Sequence, residues 1–190
     1  MLDLNFLSVL DEKAEFLYRF SDDIWAHPET AFTEFHAAER YCAVLRSEGF
    51  AVTEGLAGIP TAFSGRFGSG RPVIGILAEF DALSGLSQEG GLTEQRAAGG
   101  DCGHGCGHNL LGMAAPGHSW QTVTQGVMPL AHKMTLYAAK SLAALGAELM
   151  VNAGLLAQAK QEHRRLVGPE GYVCPIPQGV RPRSMESLHK

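Results

Sequence analysis

Cysteine is scarce in this chain and poorly spread for cross-linking. Of the four, at positions 42, 102, 106 and 174, Cys42 falls in a predicted helix and Cys174 in a proline-rich tail. The other two share one short loop. That is no disulfide framework, and it predicts a reducing, cytoplasmic setting. Positive charge is also in deficit: 15 Lys and Arg against 20 Asp and Glu give a net charge of −5. No basic cluster sits on a predicted helix, so the electrostatic footprint of a nucleic-acid binder is missing and a small-molecule substrate fits better. The N-terminal stretch carries Asp3, Asp11 and Glu12 instead of a basic leader. No apolar run is expected to reach membrane-spanning length, and no internal repeat is visible. What remains is an ordinary globular composition, 45% hydrophobic and 18% charged over 190 residues, enough for one domain with a substantial core or one domain plus a small appendage.

Against this plain background one stretch stands out. From Asp101 to Asn109 the chain places Cys102, His104, Cys106 and His108 alternately with Gly103, Gly105 and Gly107. Thiolate and neutral imidazole are the ligands zinc prefers, and glycine lets a backbone turn tightly enough for neighbouring side chains to meet one ion. Imidazoles set among glycines have little core to fill. The run points to a metal site, with a structural metal clip or metal-free loop cysteines as the alternatives. One ion cannot use all four side chains and still leave a place for water, so Cys102 and His104 are read as loop residues.

Hydrophobic periodicity organises the rest. Leu7, Leu10, Ala14, Leu17 and Ile24 recur at helical spacing between Leu4 and Trp25. Pro28 interrupts, and a second helix is predicted from about Phe32 to Ser47, closed by Gly49. Phe50–Thr53 and Thr61–Phe67 read as short strands. Val73–Ala78 is apolar on both alternating faces, as in a strand buried inside a helix-covered sheet, and Gly68-Ser69-Gly70 before it suggests a hairpin with Thr61–Phe67. Glu79 and Asp81 follow directly, at a strand's carboxyl end, where open α/β sheets gather functional groups. Asp81 is equally suited to capping a turn or helix. Residues 84–103 read as loop. Pro129 opens a long helix carrying Leu130, Met134, Tyr137, Leu142, Leu145 and Leu149, and a shorter one runs from Gly154 to about Leu166. His132 and His163 on these helices, and Trp25 and Trp120, read as exposed or packing residues. His118, between Gly117 and Ser119, is by its own sequence a turn histidine.

Several separated motifs, in one order, carry a resemblance. Ile24-Trp-Ala-His27-Pro-Glu29-Thr30, Ala78-Glu-Phe-Asp81-Ala-Leu-Ser-Gly-Leu86, Gly103-His-Gly-Cys106-Gly-His108-Asn-Leu-Leu-Gly112 and Pro116-Gly-His118-Ser-Trp120 resemble the amidohydrolase branch of metallopeptidase family M twenty. The resemblance implies an α/β, zinc-peptidase-like catalytic domain in partial form: a small β-sheet flanked by helices, with the lid or dimerisation domain absent. Residues 1–115 would be the N-terminal part of that domain. Residues 116–190 would be its C-terminal part with a proline-rich tail. It further implies hydrolysis of N-acyl or p-aminobenzoyl amino acid amides, such as p-aminobenzoyl-glutamate, with two divalent ions in the family, Zn or Mn, and one or none here. Cys106, His108 and His118 match metal ligands, and Asp81 matches a catalytic carboxylate that orients a metal-bound imidazole. Glu79 stands where other branches carry a ligand, and His27 and Glu29 match a signature of structural role.

Departures from the family pattern are equally specific. The chain has no Glu-Glu pair, so the family's general base and one ligand are missing. A further ligand histidine followed by proline is missing too. Leu110–Ala115 runs straight into Pro116-Gly117-His118, where the family has a long intervening segment. The alternative reading is therefore a non-catalytic metal-binding remnant, or a partner to a homologous subunit. Removing the family's middle also leaves sheet edges and apolar helix faces uncovered, which invites association.

Overall fold

A computed structural model describes residues 3–109, 117–177 and 179; the expected junction near Ala115 and Pro116 lies outside the described residues. Among the described residues, six helices and four short strands make a mixed α/β arrangement in which helices flank two small antiparallel sheets. The predicted N-terminal helix is broken in two. A 3-10 turn leads into α1 (Ser8–Glu12), Lys13 interrupts, and α2 (Ala14–Ala26) continues. α3 (Phe35–Ser47) starts three residues later than expected, because Glu29 reaches across to cap it. Its carboxylate accepts from the His36 and Ala37 N–H groups at 2.9 and 3.0 Å, satisfying donors that have no partner within the helix.

β1 (Ala51–Glu54) pairs antiparallel with β2 (Phe63–Arg66), Val52 opposite Gly65. The second sheet is a two-residue clasp, β3 (Leu83–Ser84) against β4 (Cys102–Gly103), which closes the loop between them. Gln88 is buried at the centre of that loop, donating to the Glu89 and Glu94 carbonyls and accepting from the Arg96 N–H. α4 (Trp120–Gln125) is capped by Ser119, whose hydroxyl accepts from the Thr122 N–H. α5 (Pro129–Val151) begins at Pro129 as expected, and α6 (Ala153–Val167) follows after Asn152.

The buried residues Ile24, Ala37, Cys42, Ala82, Val123 and Ala131 bring together α2, α3, α4, α5 and the segment entering β3. Trp25 serves this packing: its indole N–H donates to the Val123 carbonyl at 2.9 Å, and a Cβ added at Gly126 would lie 2.7 Å from its ring. An aromatic chain, Phe20 to Tyr41 at 4.7 Å, Tyr41 to Phe80 at 5.2 Å and Phe80 to Phe63 at 5.7 Å, joins α2, α3 and β2 to the stretch before Asp81.

Two expectations are corrected. The hairpin is formed by β1 and β2, not by Thr61–Phe67 with Val73–Ala78. The latter stretch runs straight but unpaired, with Val73, Ile76 and Leu77 at 66, 69 and 100% exposure. Its apolar, two-faced composition suits a central parallel strand, and a central strand needs neighbours on both sides. Among the described residues it meets neither, and the parallel bridge between Thr30 and Ala82 lies four residues beyond its end. The second correction concerns α5. Its 23 residues are long and apolar enough to cross a membrane by length and composition. The helix is nonetheless tied to the N-terminal helices by Lys140 with Asp11 at 2.5 Å and His132 with Asp22 at 2.8 Å, and His132 stacks on Tyr18.

Candidate metal centre

The Gly-rich run continues from β4 as a tight loop, and backbone approach demands glycine at Gly103, whereas Gly105 meets only the end of a side chain. A Cβ at Gly103 would lie 2.2 Å from the Leu86 carbonyl oxygen, and one at Gly105 would lie 2.2 Å from the Leu86 side chain. Gly107 turns the chain at φ +73°, a conformation L residues rarely adopt. The four side chains of the run find different partners. His104 turns inward, 2% exposed, its Nε2 3.1 Å from the Ile24 carbonyl. Cys102 packs its thiol against the Pro28 carbonyl. Both are thus tied to the end of α2 and the turn after it. Cys106 and His108 find other partners.

His108 is held at both ring nitrogens. Nδ1 lies 2.8 Å from Asp81 Oδ1 and 3.1 Å from the Asp81 carbonyl, while Nε2 lies 3.1 Å from Glu79 Oε1. With Nδ1–H donating to Asp81, the lone pair sits on Nε2, facing Glu79. Glu79, Asp81 and His108 each bring a donor atom within 4.8 Å of the others. Cys106 and His118 form a neighbouring pair, Sγ to Nε2 3.0 Å. His118 is set there by its N–H, which donates to the Gly105 carbonyl at 2.8 Å, and by a left-handed backbone at φ +57°. Burial pushes the Cys106 thiol up from its ordinary pKa, and the negative charges of Asp81 and Glu79 push it the same way. The three expected ligands do not gather at one point: the donor group here whose atoms lie within 4.8 Å of one another is Glu79, Asp81 and His108, without Cys106 or His118.

Of the residues expected from the sequence, the structure therefore brings His108 to Asp81 and Cys106 to His118. Glu79, left open by the sequence, stands at Nε2 of His108, the ring nitrogen that Asp81 does not hold. Its strand-end position beside Asp81 was the available signal. Glu79, Asp81 and His108 suit a divalent ion by chemistry, two carboxylates and one imidazole, and Cys106 and His118 offer a thiol and a second imidazole as a separate pair. Among the described residues, no lysine or arginine is ion-paired to them.

Beside His108 opens a cavity of about 390 Å³, bounded by Leu77, Ala78, Glu79, Tyr41 and the α5 residues Thr135, Ala138, Ala139 and Leu142. A hollow of about 470 Å³ at the end of α6 shares no lining residue with it. A second donor cluster, Asp23, His27 and His36, lies on α2 and α3; the sequence reading did not single it out. Arg40 already occupies it, its Nε 2.7 Å from Asp23 Oδ2, so a guanidinium fills the place of a cation.

Part of this chain is similar to known proteins. Over 96 residues, half of this chain, it is 53% identical to a p-aminobenzoyl-glutamate hydrolase subunit of Escherichia coli K12, covering 20% of that protein. Over 124 residues, 58% of this chain, it is 31% identical to the human Xaa-Arg dipeptidase, covering 25% of it. The chain thus spans a fifth to a quarter of the length of the curated relatives it matches. No protein-family model matches the chain.

Proposed function

We propose that this chain holds the metal-binding loop and strand end of an amide-cleaving hydrolase. The substrate would be an N-acyl or p-aminobenzoyl amino acid such as p-aminobenzoyl-glutamate, and the setting cytoplasmic. The observation that carries the reading is His108, gripped at Nδ1 by Asp81 and facing Glu79 at Nε2 beside an apolar cavity. Likeness to two enzymes that by name cleave a glutamate amide and a dipeptide supports the bond type.

In this reading Cys106, His108 and His118 hold the ion, Zn or Mn. Such an ion, when bound, polarises an amide carbonyl and acidifies water. The protein's own residues do the rest. Asp81 keeps the His108 Nδ1 proton in place, which fixes the tautomer and raises the basicity of Nε2. Glu79 is the carboxylate within reach to accept a proton from water and return it to the leaving amine, in the role that the absent Glu-Glu pair would otherwise fill. Leu77, Ala78 and the small α5 residues Ala138 and Ala139 give an aromatic acyl group an apolar wall. Because the bacterial relative is named as one subunit of its hydrolase, a homologous partner belongs to the proposal.

Equilibrium zinc binding tests the ligand assignment. The purified chain should bind zinc, and Cys106→Ala/His108→Ala should lose it while keeping its helical circular dichroism. Unchanged zinc content in the double variant would refute the assignment.

A further inference from the structure

The turn that joins α2 to α3 sets three donor side chains against one another. Asp23 and His27 stand one helical turn apart at the end of α2, and His36 lies in the first turn of α3. The segment between them is fixed at several points. The Glu29 carboxylate caps α3 at the His36 N–H, and its carbonyl accepts from the Ala82 N–H at 2.7 Å. Glu34 accepts from the Phe32 N–H and from the Thr61 hydroxyl, both at 2.8 Å. Held in this way, the Asp23 carboxylate is shared between two rings. Oδ1 lies 3.3 Å from His27 Nδ1 and Oδ2 lies 3.4 Å from His36 Nε2, and the ring centroids are 4.2 Å apart. His36 Nε2 is buried and has no hydrogen-bond partner, a state that buried polar atoms seldom keep.

We infer that Asp23, His27 and His36 form a second metal site, separate from the His108 centre, for a divalent ion of the zinc, nickel and copper class, which imidazole suits. The spacing is that of ligands around one ion. Donors about 2.0–2.1 Å from zinc in a tetrahedral array are about 3.3–3.4 Å apart, and the carboxylate already stands at that separation from each ring. A proton on His27 Nδ1 faces the Asp23 carbonyl at 2.8 Å; the ion takes that nitrogen, and the proton passes to Nε2 of the same half-exposed ring. Arg40 is the competitor. Its guanidinium is 47% exposed and reaches Asp23 Oδ2 through Nε. A surface ion pair of this kind is weak, so an ion held by three donors displaces it. The displacement costs affinity, and tightly held zinc remains with the His108 centre.

The test does not depend on the His108 centre. In a Cys106→Ala/His108→Ala background, titration calorimetry with nickel should show one ion per chain. His27→Ala and His36→Gln should each weaken that binding roughly tenfold or more, at least what the loss of an outer partner costs a metal site. Arg40→Gln should strengthen it, because the competing cation is gone while all three ligands stay. In the background chain, paramagnetic nickel should broaden the ring protons of His27 and His36 before those of the other histidines. Circular dichroism confirms that each variant folds, and the Arg40 change, on an exposed side chain, keeps the test open if a histidine variant does not. A background chain that binds no nickel, binding that both folded histidine variants leave intact, or an Arg40→Gln chain that binds no tighter than its parent would each overturn the inference.

Discussion

At the scale of single residues, the site turns on how protons are held. Asp81 lies against His108 Nδ1 at 2.8 Å, so Asp81→Ala removes the group that fixes the ring. Zinc affinity should fall roughly tenfold to a hundredfold, read by competition with a chelator; unchanged affinity would return Asp81 to a capping role. Cys106 supplies a second prediction. Its thiol is held above its ordinary pKa by burial and by Asp81 and Glu79, so at neutral pH it is protonated and must release a proton to ligate. Zinc affinity should therefore climb as pH rises through the neutral range, and Cys106→Ala should lessen that slope by about one proton per ion. His104 behaves oppositely. Burial lowers its pKa against the opposing hydrogen bond to Ile24. The unfolded chain takes up a proton near pH 6.5 that the folded chain refuses. The stability that follows is present above about pH 6.5 and is lost as pH falls towards the lower folded value. His104→Gln should flatten the fall in melting temperature between about pH 6.5 and 5; an unaltered profile would mean that another group governs it.

At the scale of elements, what was legible in the sequence is what local physics decides. α5 begins at Pro129 because a ring nitrogen costs nothing at a helix start, and α6 follows its apolar spacing. The start of α3 was misplaced because its cap is remote. Glu29, six residues before the helix, supplies acceptors to His36 and Ala37, and no spacing rule finds a cap outside the usual position. Glu29→Ala should cost about 1 kcal/mol in denaturant unfolding, with α3 fraying first by hydrogen exchange. Val73–Ala78 failed in a more instructive way. Its composition is that of a buried central strand, but composition records the neighbours a strand is suited to, not the neighbours it has. Cys106 and His118, twelve residues apart across a turn, met only because the His118 N–H bonds to the Gly105 carbonyl. Nothing in the spacing of the pair foretells that bond.

At the scale of the whole molecule, a small core carries a wide apolar surface. Leu77, Leu130, Tyr137, Leu145 and Met150 are all more than half exposed, and the fold draws on few fully buried side chains. Ligand linkage should therefore be conspicuous. An ion at about one hundred times its dissociation constant adds about 2.7 kcal/mol, which corresponds to a rise in melting temperature of about 5–10 °C for a chain of this size. Zinc should produce that rise, a chelator should reverse it, and His108→Ala should abolish it.

Turnover decides whether this metal centre cleaves amides. Purified chain, shown to be folded and loaded with zinc or manganese, is given p-aminobenzoyl-glutamate beside Cys106→Ala and His108→Ala controls. The expected result is metal-dependent release of p-aminobenzoate and glutamate that both controls lose. A folded, metal-loaded chain that leaves the amide intact would contradict the proposed function.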